Sequence, residues 1–227
     1  VKIYRDLEQG SDEWLQARCG IITASMIGKL LTKTGKSSKG EDTRRVVSDL
    51  LAQRITGLAD PAVSSRTLER GHEDEMEAKL KYSQEIAPVE EVGFITEDFG
   101  GVVIGYSPDG LVGDDGLIEC KSRLSGLQLK TIISLEVPSE YMAQIQTGLM
   151  VTGRKWLDFI SYPAMGGGKM MVMRVYPDPA FQAVLLDAAR EAEMEIRRQH
   201  AEYENAIKSN KARFFDTERR EELEIIL

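Results

Sequence analysis

The sequence predicts an α/β (α+β) fold in which a central mixed β-sheet is flanked by helices. Three observations predict it. Helical periodicity opens the chain, a meander of short β-rich segments follows, and helix, two strands and a long helix close it. Gly113-Asp114-Asp115-Gly116 is a strong hairpin turn between two of those β-rich segments. No repeat and no long linker divides the 227 residues, so 1–227 reads as a single domain able to bury a sizeable core.

The elements follow in order. Ser11 is suited to cap a first helix, Asp12 and Glu13 sit at the positive end of its dipole, and Gly20 stops it after Arg18. Ile21-Ile22-Thr23-Ala24-Ser25 is short and apolar and is expected to open a second helix through Met26, Leu30 and Leu31. Residues 33–42 form a basic loop by composition. A helix over 43–55 places Val46, Val47, Leu50 and Leu51 on one face, and a turn-rich connector at 57–65 leads to a long helix over 67–84. Strands are expected at 89–97, 101–105 and 117–122. Pro138-Ser139-Glu140 opens a helix carrying Tyr141, Gln144 and Leu149. Segments 156–162 and 169–175 alternate like paired strands around Gly166-Gly167-Gly168. Pro179 then starts a final helix to about 208, with a polar tail beyond.

Composition narrows the function. Hydrophobic content of 42% with 29% charged residues excludes disordered and fibrous classes. No apolar run approaches the roughly 18–20 residues that a membrane helix needs. Val1-Lys2-Ile3-Tyr4 begins no signal core, so a cytoplasmic location is the expectation. Cys19 and Cys120 are too few and too far apart for a disulfide framework or a zinc site, and His72 and His200 are the whole histidine supply. Carboxylates and lysine must therefore carry any chemistry. The net charge of −8 argues against a broadly basic surface. Local distribution decides binding, however, and Lys29, Lys33, Lys36, Lys39, Arg44 and Arg45 form a basic stretch.

The chemistry centres on Ser107-Pro108-Asp109-Gly110 and Glu119-Cys120-Lys121. On a strand, Glu119 and Lys121 share one face while Ile118 and Cys120 point to the other. The hairpin turn folds Asp109 back toward Glu119, so two carboxylates converge beside an ammonium. Such a hard oxygen site suits Mg²⁺, and metal with lysine is the equipment of phosphodiester hydrolysis. Cys120 offers only its carbonyl. Glu69, Glu73, Glu75 and Glu77 share the 67–84 helix; a solvated acidic face is their ordinary role, and spacing does not choose a ligand among them.

Beyond these, Gly10-Ser11-Asp12-Glu13-Trp14-Leu15-Gln16-Ala17-Arg18 and Gly20-Ile21-Ile22-Thr23-Ala24-Ser25 resemble the N-terminal motif of the phage lambda exonuclease and YqaJ-type viral recombinase family. Gly71-His72-Glu73-Asp74-Glu75, the two catalytic blocks, and Tyr141-Met142-Ala143-Gln144-Ile145-Gln146 continue the resemblance in family order over about residues 9–152. The last third carries no matching motif. The resemblance implies a restriction-endonuclease-like core and an alkaline exonuclease that degrades one strand of duplex DNA from its 5′ end. It implies Asp109, Glu119, Glu75 and the Cys120 carbonyl as ligands of two Mg²⁺ ions per site, with Mn²⁺ as a substitute. Lys121 would handle the attacking water with support from Gln144. Arg18, Ser25 and Ser107 match the positions that hold the 5′-phosphate, which suits a guanidinium and two hydroxyls, and Tyr141 matches a position near the terminal base. The resemblance further implies a homotrimeric ring around DNA and a single-strand annealing protein as partner. Two other readings keep the same residues: an endonuclease or nickase, indifferent to 5′-phosphate, and a non-catalytic scaffold that binds DNA ends.

Overall fold

The computed structural model describes residues 1–32, 34–59, 66–209 and 211–218, with the side chains of 66–69 not described. Lys33, residues 60–65 of the expected connector, the Glu69 side chain and the end of the polar tail lie outside the described residues.

Strand β1 (Lys2–Tyr4) leads into helix α1 (Asp12–Arg18). Ser11 caps α1 as expected, its hydroxyl accepting from the Trp14 amide at 3.2 Å. The expected second helix starts later than the sequence suggests. Ile22–Thr23 is strand β2, and only Ala24–Ile27 is helix α2, followed by a 3-10 turn at Gly28–Leu30. Two residues have no period to read; they become a strand because a parallel partner completes them.

Helix α3 (Glu41–Thr56) buries Val46, Val47 and Leu50 and ends where Gly57 takes a φ of +68°. Helix α4 (Arg66–Glu85) comes next. Strands β3 (Phe94–Asp98) and β4 (Val103–Tyr106) are shorter than expected. Glu90 forms only an isolated bridge to Leu111, and Gly100 and Gly101 at φ +77° and +93° make the turn. Strands β5 (Gly110–Val112) and β6 (Gly116–Arg123) flank the expected hairpin turn. Helix α5 (Ser125–Ser134) and β1 have no counterpart in the sequence reading. Helix α6 (Ser139–Thr152), strands β7 (Trp156–Pro163) and β8 (Met171–Val175), and helix α7 (Pro179–Lys208) complete the chain. Asp178 caps α7 by accepting from the Ala180 and Phe181 amides at 3.1 Å each.

The expected central sheet is two four-stranded mixed sheets, in orders β1-β3-β4-β2 and β5-β6-β7-β8. In the second, β6 lies antiparallel to β5 and parallel to β7. The chain passes from one sheet to the other through Ser107-Pro108-Asp109. One hydrophobic core spans both: Ile95, Ile104 and Tyr106 of the first pack with Leu117, Leu157 and Phe159 of the second and with Ile145 and Leu149 of α6. The opposite face of β6 packs Ile118 and Cys120 against Ala78 and Tyr82 of α4. Both faces of β6 are therefore covered, which suits its near-continuous apolar run around one glutamate. None of the described helices is long and apolar enough to cross a membrane.

Candidate active site

Strand β6 positions the central carboxylate. Glu119 is 1% exposed, a costly place for an acid unless its oxygens are paired. They are. The Tyr106 hydroxyl donates to Oε2 at 2.8 Å, while Lys121 Nζ and Gln144 Nε2 each donate to Oε1 at 2.5 Å. Gln144 comes from α6, Lys121 from the same face of β6, and Tyr106 from the end of β4. Burial and the Glu119 charge push the Tyr106 hydroxyl well up, so it remains a donor.

Asp109 arrives from the segment between the sheets, and its Oδ2 accepts from the Cys120 amide at 2.5 Å. That bond seats the carboxylate against the strand between Glu119 and Lys121. Burial, then the charges of Glu119 and Glu75, raise Asp109 well above the usual carboxylate range. Burial pulls Lys121 down, but Glu119 and Asp109 outweigh it and the ammonium is raised. Cys120 faces α4; burial and the surrounding carboxylates push its thiol well up, so the thiol is a core group.

The described glutamates of α4 differ in where they stand. Glu73 and Glu77 are exposed, whereas Glu75 is half-buried and lines a cleft of about 710 Å³ together with Asp109, Trp14 and exposed His72. Glu75 pairs with Lys79 at 3.2 Å, and Lys79 also reaches Glu91 at 2.9 Å. Among the described residues no three Asp, Glu, His or Cys side chains already stand as a ligand cage; Lys121 and Gln144 engage Glu119, and Lys79 engages Glu75. The donor chemistry nevertheless fits a hard divalent cation. Asp109, Glu119 and Glu75 are oxygen donors; burial and then their mutual repulsion raise Asp109, and a bound cation would relieve that repulsion.

Of the expected phosphate residues, Arg18 and Ser107 meet at the neighbouring end of the first sheet. Arg18 Nη1 donates to Ser107 Oγ at 2.9 Å, and the guanidinium lies over Trp14 at 3.9 Å and Phe94 at 5.7 Å. Trp14 Nε1 donates to the same Oγ at 3.0 Å. Ser25 is exposed, with Thr23 Oγ1 3.2 Å from its hydroxyl. Because β2 runs parallel to β4, Ser25 and Ser107 leave the sheet at the same end. Tyr141 is stacked on Phe159 with centroids 5.5 Å apart, and its hydroxyl accepts from Arg123 at 2.9 Å. Its ring lies 5.6 Å from Lys121 Nζ.

Two contributors escaped the sequence reading. Tyr106 stands directly before Ser107, and its buried reach from the first sheet to Glu119 of the second is visible only in three dimensions. Trp14 lies inside the quoted N-terminal block, yet nothing in a lone tryptophan announces a partner 93 residues away.

The YqaJ-like viral recombinase domain family matches residues 13–155. An alkaline exonuclease from Laribacter hongkongensis is 31% identical, with a TM-score of 0.76 over 87% of this chain and 98% of that one. The same exonuclease in complex with dAMP superposes with a TM-score of 0.77 at the same coverage. A phage related exonuclease from Haemophilus somnus, 13% identical, shares the fold alone, with a TM-score of 0.57 over 81% of this chain and 96% of that one. A comparison with curated proteins gives no match. The fold is thus restriction-endonuclease-like.

Proposed function

Because the chain belongs to the YqaJ-like viral recombinase family, we propose that it is a metal-dependent 5′→3′ exonuclease. It digests one strand of double-stranded DNA from its end and leaves 3′ single-strand overhangs for recombination. One observation carries this reading. Asp109, Glu119 and Lys121 converge at β6, and the Arg18–Ser107 pair stands two residues from Asp109. The Laribacter exonuclease in complex with dAMP supports a mononucleotide as product.

Asp109, Glu119, Glu75 and the Cys120 carbonyl are the oxygen set that would hold Mg²⁺ or Mn²⁺, two ions per site. When bound, the ions polarise the phosphoryl group, acidify water and offset charge on the leaving oxygen. The chain's own residues do the rest. Tyr106 and Gln144 fix the Glu119 carboxylate from both oxygens, so its orientation is set before substrate arrives. Lys121 stands as an ammonium, able to hold a water oxygen by donation and to face developing negative charge. It becomes a base only when the carboxylate charges that raise it are neutralised. Arg18, Ser107 and Ser25 present one guanidinium and two hydroxyls to a terminal phosphate. Trp14 holds the guanidinium over its ring. Tyr141 flanks the site near the terminal base. A homotrimeric ring and a single-strand annealing partner complete the proposal; a ring gathers the exposed Lys29, Lys36, Lys39, Arg44 and Arg45 of an acidic chain around one duplex.

Digestion of a linear duplex labelled separately at each 5′ end and each 3′ end, with and without Mg²⁺, tests this. Release of mononucleotides from 5′ ends only in Mg²⁺, faster with a 5′-phosphate, is the expected result. Equal degradation of covalently closed circular duplex turns the reading into an endonuclease.

A further inference from the structure

Asp74 is a buried carboxylate, 5% exposed, with no place in the chemistry above. It neighbours Glu75 on α4, about 100° further back around the helix. Its Oδ2 accepts from Ser122 Oγ at 2.6 Å, and Ser122 directly follows Lys121 on β6. Its Oδ1 accepts from the backbone amide of Met165 at 3.0 Å, in the turn after β7. Arg70, one turn earlier on α4, pairs with the same carboxylate at 3.9 Å. Three elements thus meet on one side chain beside the site.

We infer that Asp74 is a positioning residue that locks α4 in register against β6 and so sets where Glu75 stands relative to Asp109 and Glu119. The inference rests on the metal-site reading of Glu75. Among the described residues Glu75 has one ion pair, to Lys79 on its own helix at 3.2 Å, and no hydrogen bond to β6, so the placement of α4 aims it. Elsewhere α4 meets the sheet through apolar packing, which is non-directional and tolerates sliding. Among the described residues, directional bonds pin the helix to the second sheet and its turn at two points, while Lys79 reaches Glu91 ahead of β3 at 2.9 Å. Tyr82 donates to Asp158 at 2.6 Å two turns from Asp74, and Asp74 is the pin adjoining the site. Slippage by one residue would carry Glu75 about 1.5 Å along the axis, enough to spoil coordination.

Met165 supports this reading independently. It is a non-glycine residue at φ +63°, a conformation with a backbone cost. Its side chain is 80% exposed, so that cost yields no burial. What the conformation does place is the amide that Asp74 accepts.

Binding of Mn²⁺ to the DNA-free protein, followed by electron paramagnetic resonance of the free ion, tests the inference. Ser122→Ala removes one arm of the clamp, and Asp74→Asn sets an amide nitrogen against one of its two donors. Each is expected to weaken Mn²⁺ binding about tenfold, and Ser122→Thr, which keeps the hydroxyl, to restore it. Asp158→Asn is the control, since it unpins the same helix away from the site. It is expected to lower Tm at least as much while leaving Mn²⁺ affinity unchanged. Wild-type affinity in Ser122→Ala, or equal weakening in Asp158→Asn, overturns the inference even if Asp74→Asn fails to fold. No uptake of Mn²⁺ by the unsubstituted protein instead overturns the metal-site reading, and the inference with it.

Discussion

Burial and charge at single residues make the sharpest predictions. Replacing Lys121 by Ala leaves Glu119 with Tyr106 and Gln144 but removes the ammonium proposed to face the attacked phosphate. Single-turnover release of mononucleotide is expected to fall by about 10²–10⁴-fold, with duplex binding retained in a gel-shift measurement. Arg18 makes a pH-dependent case. Burial against Trp14 and Phe94 lowers its guanidinium to about 10. Only the protonated form pairs with a phosphate dianion. The advantage of 5′-phosphorylated over 5′-hydroxyl ends is therefore expected to hold at neutral pH and to vanish as pH rises through about 10. A pH series on the two substrates measures it, and Arg18→Lys should move that transition. At this scale the sequence was informative where chemistry and spacing coincide. Alternation on one strand placed Glu119 beside Lys121, and a hairpin turn brought Asp109 to them. It was silent about Tyr106 and Asp74, because their partners lie 13 and 48 residues away and no local pattern encodes a tertiary hydrogen bond.

Among the elements, α6 shows how packing reaches the chemistry. Gly148 on α6 faces the Tyr106 ring, and a Cβ there would stand 2.7 Å from it. Gly148→Ala therefore forces the Tyr106 ring or α6 to shift, and the Tyr106–Glu119 bond is expected to be disturbed. Overpacking of this kind costs about 1–3 kcal/mol, and thermal unfolding should show it. Activity is expected to fall further than in Tyr106→Phe, which keeps the ring in place and loses only the hydroxyl. Long elements were legible: the final helix expected from Pro179 to about 208 is α7, Pro179–Lys208. Short ones were not. Strand β2 was read as helix because two residues show no alternation, and β1 exists because β3 supplies its hydrogen bonds. Helix α5 exposes Leu127, Leu129 and Ile133, so its apolar residues do not trace a single buried stripe.

Across the whole molecule, the terminal helix closes over the N-terminal half through one ionic cluster. Arg54 donates to both oxygens of Glu193 at 2.9 and 2.7 Å and to the Gly20 carbonyl at 2.8 Å; Arg197 joins at 2.8 Å. Glu193 is 6% exposed. Glu193→Ala strands Arg54 and should cost about 3 kcal/mol, or roughly 6–12 °C in Tm for a chain of this size. Burial pushes the Glu193 carboxyl up, but hydrogen bonds from Arg54 and Arg197 outweigh it and hold the pKa below its usual value. This contribution is thus complete at neutral pH and lost as pH falls through the folded-state pKa. Calorimetry of both proteins against pH should show the difference shrinking in acid.

The passage between the two sheets is short, and its length has a consequence. From Ser107, bonded to Arg18, to Asp109, bonded to the Cys120 amide, the backbone advances only two residues and reaches at most about 7 Å. If the terminal phosphate rests on one and the scissile bond on the other, Pro108 is a covalent ruler, and the bite it measures is a single nucleotide. Inserting one glycine after Pro108 stretches that ruler by about 3.5 Å. Sizing the digestion products should then reveal dinucleotides or no cutting at all, and unchanged mononucleotides would mean the step is gauged elsewhere.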